Sequence, residues 1–134
     1  MESVPAMFER DEASRMLGMQ LVSLSPGQAV VTMTVRRDML NGFLVAHGGL
    51  TFALADTAFA MACNETDEVT LAAGAEISFL RPVAEGQLLT ATAERRAKSG
   101  RSGIYDVRVL NEHDEVVAEF RGRSRTTTRP VPAA

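Results

Sequence analysis

The segment from Gly48 to Asn64, GGLTFALADTAFAMACN, constrains this chain more than any other. It is rich in alanine, free of proline and of glycine after Gly49, and apolar on nearly every side when wound as a helix. A helix without a polar face must be enclosed by other structure. Its apolar run of about 15 residues falls short of the ~20 that cross a membrane, and an aspartate stands in its middle. A core helix accounts for every residue in the segment except Asp56.

The remainder supplies material to enclose it. Residues 1–17 mix charged and apolar positions, with Phe8, Met16 and Leu17 able to share one side of a helical segment ended by Gly18. Residues 19–35 read as two strands around the turn Ser25-Pro26-Gly27-Gln28, with Val31, Met33 and Val35 alternating against Thr32 and Thr34. Four further stretches alternate in the same way: Leu71 to Leu80, Gln87 to Ala97, Gly103 to Leu110 and Val116 to Arg125. Their short connections predict an antiparallel meander, and residues 126–134 are expected to be a flexible tail. The fold class is therefore α+β, one domain over 1–134, an antiparallel sheet of about six strands wrapped around one long central helix. A helix apolar all round needs cover on several sides, so a self-associating chain is expected, a homodimer or homotetramer.

Of the 134 residues, 46% are apolar and 23% charged, with a net charge of −3, an ordinary globular composition that argues against a nucleic-acid partner. Any anionic ligand must be met by local basic groups. Cys63, the single cysteine, lies in the apolar segment, where a buried inert thiol is expected. With no basic and apolar leader at the N-terminus, the expected location is the cytoplasm, away from membranes.

Chemistry concentrates in Leu40-Asn41-Gly42-Phe43-Leu44-Val45-Ala46-His47-Gly48-Gly49 and the helix that follows, through Asp56-Thr57-Ala58. This run resembles the signature of the hotdog-fold acyl-CoA thioesterases: an Asn, then His-Gly-Gly at the start of the central helix, then an acidic residue eight positions after the first Gly. The resemblance extends over nearly the whole chain and is nearest to the phenylacetate-degradation thioesterase subfamily, supported by Phe79-Leu80-Arg81-Pro82. It implies a hotdog fold, hydrolysis of an acyl-CoA of phenylacetyl or hydroxyphenylacetyl type, a site shared between subunits, and catalytic roles for Asn41, His47, Gly48 and Asp56. One departure is visible. Where some relatives place a Ser or Thr after the helix to orient water, this chain has Leu71-Ala72-Ala73-Gly74-Ala75.

Asp56 is the only formally charged side chain between His47 and Glu65, and an unpaired buried carboxylate costs several kcal/mol, so stability alone does not explain it. Apolar surroundings raise its pKa towards the range of a general base, and activation of a water or direct attack on the thioester carbon are both open to it. Gly48 and Gly49 would present backbone N–H groups at the positive end of the helix, an oxyanion hole, or else merely a tight turn. His47 could position substrate or serve as a loop residue; Asn41 could hold the thioester carbonyl or simply turn the chain in Asn41-Gly42. Thr57 is the alternative to Asp56 acting alone in holding the water. Arg81, Lys98, Arg101, Arg121 and Arg123 are candidates for the CoA phosphates or ordinary solvated groups. Phe43, Leu44, Phe52 and Phe59 could wall an acyl pocket or belong to the core.

Gly48 and Asp56 stand eight residues apart, or roughly 12 Å along a helix axis. One carbonyl cannot touch both within a chain, so a composite site is expected. CoA enters only as part of the substrate; no metal or redox cofactor is implied, since His47, His113 and Cys63 are too scattered for a zinc site. Two other readings compete with hydrolysis: a non-catalytic acyl-CoA sensor, which would gain from an apolar residue at position 56, and a hotdog hydratase or dehydratase, whose acid and His are placed differently.

Overall fold

The computed structural model describes residues 3–132. Two short helices, α1 (Ser3–Glu9) and α2 (Glu12–Met16), lead into the hairpin β1 (Gln20–Ser25) and β2 (Gln28–Thr34). A single 3₁₀ turn (Arg37–Met39) and a loop then deliver the chain to α3 (Gly48–Cys63), followed by β3 (Glu68–Phe79), β4 (Leu88–Ser99), β5 (Ser102–Leu110) and β6 (Val116–Pro130). All six strands form one antiparallel sheet in the order β1-β2-β4-β5-β6-β3.

That order corrects the expected meander. β4, β5 and β6 do run as neighbours, but β3 pairs with β6, and β4 pairs with β2. Alternation tells which side chains face the core, not which strand lies alongside. The connection after β3 is a crossover: Val83 is buried, Ala46 N–H donates to the Val83 carbonyl at 2.8 Å, and Gly86 N–H donates to the Val35 carbonyl at 2.8 Å. The chain thus passes the start of α3 before β4 joins β2. The expected tail also begins too early, because β6 continues to Pro130. Thr126 Oγ1 meets Thr70 Oγ1 at 3.0 Å and Thr127 Oγ1 donates to the Val69 carbonyl at 2.7 Å. The β-branched run Thr126-Thr127-Thr128 suits a strand; residues 133–134 lie outside the described part.

The sheet curls around α3. Ala29, Val31 and Met33 of β2, Leu89, Ala91 and Ala93 of β4, and Tyr105, Val107 and Val109 of β5 turn inward onto Leu54, Ala58, Phe59 and Met61. Alanines on the central strands let the helix sit close. Asn64 fastens its end, donating from Nδ2 to the Ala60 carbonyl at 2.8 Å and accepting from Thr70 N–H at 2.9 Å.

One stripe of α3 escapes the sheet. Gly49, Phe52, Ala53, Asp56 and Ala60 recur at helical spacing and stay partly accessible, while Leu54, Ala55, Ala58 and Phe59 are buried. β3 is an edge strand, and Leu71, Phe79 and Leu80 are exposed on or beside it. No helix of the described residues is long and apolar enough to cross a membrane.

Candidate active site

His47 is the N-cap of α3, and its Nδ1 accepts the Gly49 N–H at 3.3 Å. Nδ1 therefore carries no proton, which leaves Nε2–H of the exposed ring as the donor. The bond also decides between the two glycines. Gly49 N–H is taken by the cap, whereas Gly48 N–H has no acceptor among the described residues. The expectation of two free N–H groups thus narrows to Gly48. A side chain there would crowd the Phe79 ring: a Cβ on Gly48 would stand 3.0 Å from Phe79 Cζ, so the ring would have to give way. Gly48 lines a cleft of about 300 Å³ with Ala46, Thr51, Phe79, Arg81 and Val117.

Asn41 organises the loop that leads to this cleft. Its Oδ1 accepts Phe43 N–H at 2.8 Å and Val45 N–H at 3.4 Å, and its backbone N–H donates to the Val45 carbonyl at 2.8 Å. Spending the side-chain oxygen on the loop leaves Nδ2 as the group available to a ligand. The same turn holds Leu44 at φ +63° and pushes Phe43 and Leu44 outward, 88% and 72% exposed.

Asp56 lies on the accessible stripe of α3, half-buried, with neither a hydrogen bond nor an ion pair to a described residue. Burial holds its pKa above the ordinary carboxylate value, and the negative charge of Asp11 adds to the shift. α3 runs unbroken from Gly48 to Cys63, so the two candidate groups remain roughly 12 Å apart within one chain.

Thr57 points the other way, buried, with its Oγ1 3.1 Å from Ser14 Oγ of α2. Ser14 Oγ in turn donates to Asp11 Oδ2 at 2.6 Å, and Asp11 Oδ1 accepts Ser14 N–H at 3.0 Å. Asp11 and Ser14 are absent from the residues singled out in the sequence. The pattern Asp11-Glu12-Ala13-Ser14 could have disclosed a helix cap, but not that the cap rests on the residue beside Asp56.

The remaining candidates scatter. Arg81 lies at the Gly48 cleft and pairs with Glu115 at 3.3 Å. Lys98 lines a groove of about 500 Å³ with Arg123 and Arg125 near the β4–β5 turn, while Arg101 donates to the Thr127 carbonyl at 2.9 Å and is anchored to β6. Seven residues of β6 separate Ala118, opposite Phe79, from Arg125, opposite Ser102, or about 23 Å of strand. A single chain therefore does not bring Lys98 and Arg101 to Gly48. Arg121 is held by Asp106 through two bonds of 2.7 and 3.0 Å, and Arg123 faces Glu76 at 3.7 Å. As for the expected acyl wall, Phe59 is core, held at tilted contacts between Tyr105 and Phe120 and 1% exposed, so it leaves that list; Phe52 sits edge-on to Phe120 at 5.4 Å.

Known proteins share this arrangement. The pattern of the Thioesterase superfamily matches residues 43–118, which contain Gly48, Asp56 and the crossover. Acyl-coenzyme A thioesterase PaaI of Escherichia coli (strain K12) is 46% identical over 123 residues, 92% of this chain and 88% of that protein. The structure of the E. coli PaaI protein from the phenylacetic acid degradation operon superposes with a TM-score of 0.94 at 43% identity, covering 97% of this chain and 94% of that one. An asparagine-to-aspartate mutant of phenylacetic acid degradation protein PaaI from Thermus thermophilus gives 0.84 at 36% identity, over 87% of this chain and all of that one. With the family pattern matched over residues 43–118 and a relative 46% identical over 92% of its length, this chain belongs to the Thioesterase superfamily.

Proposed function

We propose that this protein is an acyl-CoA thioesterase acting on phenylacetyl-type substrates at a site made by two subunits, with Asp56 as general base. The observation that carries the proposal is Asp56 itself: an unpaired carboxylate on the uncovered stripe of an otherwise apolar helix, with its pKa raised by burial and by Asp11. A carboxylate with a raised pKa takes up a proton more readily than an ordinary aspartate. Water gives its proton to Asp56 as its oxygen bonds the thioester carbonyl carbon. Negative charge then gathers on the carbonyl oxygen, where Gly48 N–H receives it at the positive end of α3. As the C–S bond breaks, the carboxylic acid forms and the sulfur of CoA leaves and is protonated.

The geometry calls for two chains, because Asp56 and Gly48 are too far apart in one. Antiparallel apposition of two α3 helices along the stripe Gly49-Ala53-Asp56-Ala60 would place Asp56 of one subunit near Gly48 of the other; its small residues allow close approach. Phe43 and Leu44, exposed in the isolated chain, would be covered beside the acyl group. We extend the assembly to a homotetramer and place it in the cytoplasm, a setting compatible with Cys63, whose thiol burial pushes up to about 12. The phenylacetyl preference rests on the phenylacetic acid degradation operon that contains the E. coli relative, and Arg81, Asn41 and His47 are the groups we assign to the substrate.

Release of free thiol from a panel of aryl and alkyl acyl-CoAs tests the reading. Hydrolysis is expected, fastest with phenylacetyl-type thioesters, and Asp56→Asn should lower kcat by at least ~10²-fold. Absence of thiol release from the folded parent protein with every substrate would leave acyl-CoA binding alone.

A further inference from the structure

Phe79 is the last residue of β3 and lies directly opposite Ala118 of β6, so the two side chains share a face of the sheet. That face holds α3: Ala118 is fully buried, and Phe120, two residues on, meets Phe52 and Phe59 of the helix. Phe79 reaches the same side just where the helix begins. Its ring rests tip-first on Gly48, with Cζ 3.0 Å and Cε1 3.3 Å from the place a Cβ would take, and the residue remains 53% exposed. No other aromatic side chain of the described residues lines the Gly48 cleft. Phe59 is core, and Phe52 packs edge-on against Phe120.

A thioester oxygen that accepts the Gly48 N–H at ~2.9 Å has its carbonyl carbon only about 1.2 Å further out. The two substituents of that carbon, the acyl group and the sulfur arm, then start beside the Phe79 ring. The walls of the cleft decide which of them the ring receives. The pantetheine arm of CoA carries amides and a hydroxyl, which lose hydrogen bonds unless a wall offers partners. Here the wall's N–H groups are already committed: Ala46 donates to the Val83 carbonyl at 2.8 Å, and Leu80 and Arg81 donate to the Val117 carbonyl at 2.8 and 3.3 Å. The Arg81 side chain is paired with Glu115, and Val83 and Val117 are buried behind the cleft. A cleft of about 300 Å³ built in this way suits a compact apolar group. An aromatic group gains more there than an alkyl chain, because two rings meet favourably edge-on or offset. We propose that Phe79 is the specificity-determining residue for the acyl group, the wall on which the ring of an arylacetyl thioester packs while its carbonyl oxygen accepts the Gly48 N–H. This rests on the thioesterase reading above.

The test reads a ratio, kcat/KM for phenylacetyl-CoA over kcat/KM for hexanoyl-CoA, which a smaller folded fraction does not move. The parent should favour the aryl substrate. Phe79→Ala is expected to lower the ratio about tenfold, and Phe79→Leu, which keeps apolar bulk without a ring, about threefold. Because alanine vacates the space of a ring, naphthylacetyl-CoA should gain on phenylacetyl-CoA in Phe79→Ala. Inhibition by free CoA should stay within twofold of the parent in both variants, since the ring meets the acyl group and not the sulfur arm. Circular dichroism and sedimentation check folding and assembly; should Phe79→Ala unfold or dissociate, Phe79→Leu carries the comparison. An unchanged ratio in a folded variant, or inhibition by CoA weakened as much as phenylacetyl turnover, would overturn the assignment. If the parent hydrolyses thioesters with an aryl preference that survives in Phe79→Ala and Phe79→Leu, the role of Phe79 alone falls. A parent that hydrolyses alkyl thioesters equally well removes the acyl preference and Phe79 with it, and a parent that releases no thiol removes the thioesterase reading itself.

Discussion

Asp56, the base proposed above, bears on stability as well as on activity, because no described residue pairs with its half-buried carboxylate. Burial and the Asp11 charge raise its pKa in the folded chain above the ordinary carboxylate value of the unfolded chain. The folded state thus holds the proton more tightly, and the favourable contribution is complete below the unfolded pKa and lost as pH rises through the folded one. Once ionised, the carboxylate weakens the fold. Asp56→Asn is accordingly expected to raise Tm at pH 7 by about 1–3 °C in thermal melts, and the gain should vanish below about pH 4, where the parent aspartate is itself protonated. A mutant no more stable than its parent at neutral pH would mean that Asp56 is compensated in the assembly. Activity has the opposite slope, since the base works ionised: as pH is lowered, kcat should fall through a midpoint above that of an ordinary aspartate. Asp56 stood out in the sequence because a lone charge inside an apolar helix has no structural use. Asp11 and Ser14 did not, since their meaning comes from the packing of α2 against α3, and no spacing within 11–14 discloses a partner 43 residues away.

Among the elements, α3 could be read closely from sequence, because alanine content and the lack of any polar face leave little alternative. Its observed span, Gly48–Cys63, differs from the expected one only at Asn64, which caps the end. The strands were legible from their period, their pairing was not. The partner of β3 depends on where the connection around Val83 travels, and that is decided by bonds to Ala46 and Val35, far away in sequence. Packing of α3 on the sheet is close where Phe59 meets β6. A Cβ on Gly122 would stand 2.7 Å from two atoms of the Phe59 ring, with Tyr105 closing the other side at a ring separation of 5.7 Å. Neither ring has room to retreat, so Gly122→Ala is expected to destabilise the protein by ~1–3 kcal/mol in urea denaturation. Adding Phe59→Leu to it should recover part of that loss, because the smaller side chain vacates the space the methyl needs. If Gly122→Ala unfolded at the parent's midpoint, the contact would be looser than described.

For the molecule as a whole, α3 is enclosed on the sheet side and open along Gly49, Phe52, Ala53, Asp56 and Ala60, while β3 leaves an edge and Phe43, Leu44, Phe79 and Leu80 stay exposed. An edge strand next to exposed apolar side chains invites a second copy. Sedimentation at micromolar concentration should give at least a dimer mass, and a monomer there would remove the basis for a shared site. The stronger prediction concerns catalysis. Asp56→Asn abolishes the base and Gly48→Val forces a side chain against Phe79 at the proposed oxyanion position, so each variant alone should be inactive as a homodimer. A mixed dimer, however, has two sites of unequal fate. One combines the two damaged halves, and the other receives Asp56 from the Gly48→Val chain and Gly48 from the Asp56→Asn chain. Random mixing makes half of all dimers mixed, each with one working site of two, so activity should recover to about one quarter of the parent's per subunit. Differently tagged subunits, co-expressed and purified through both tags, would isolate the mixed species and raise the expected value to about one half. Mixed dimers that form and remain inactive would show that base and oxyanion hole come from the same chain, and a different donor would then have to be found within reach of Asp56.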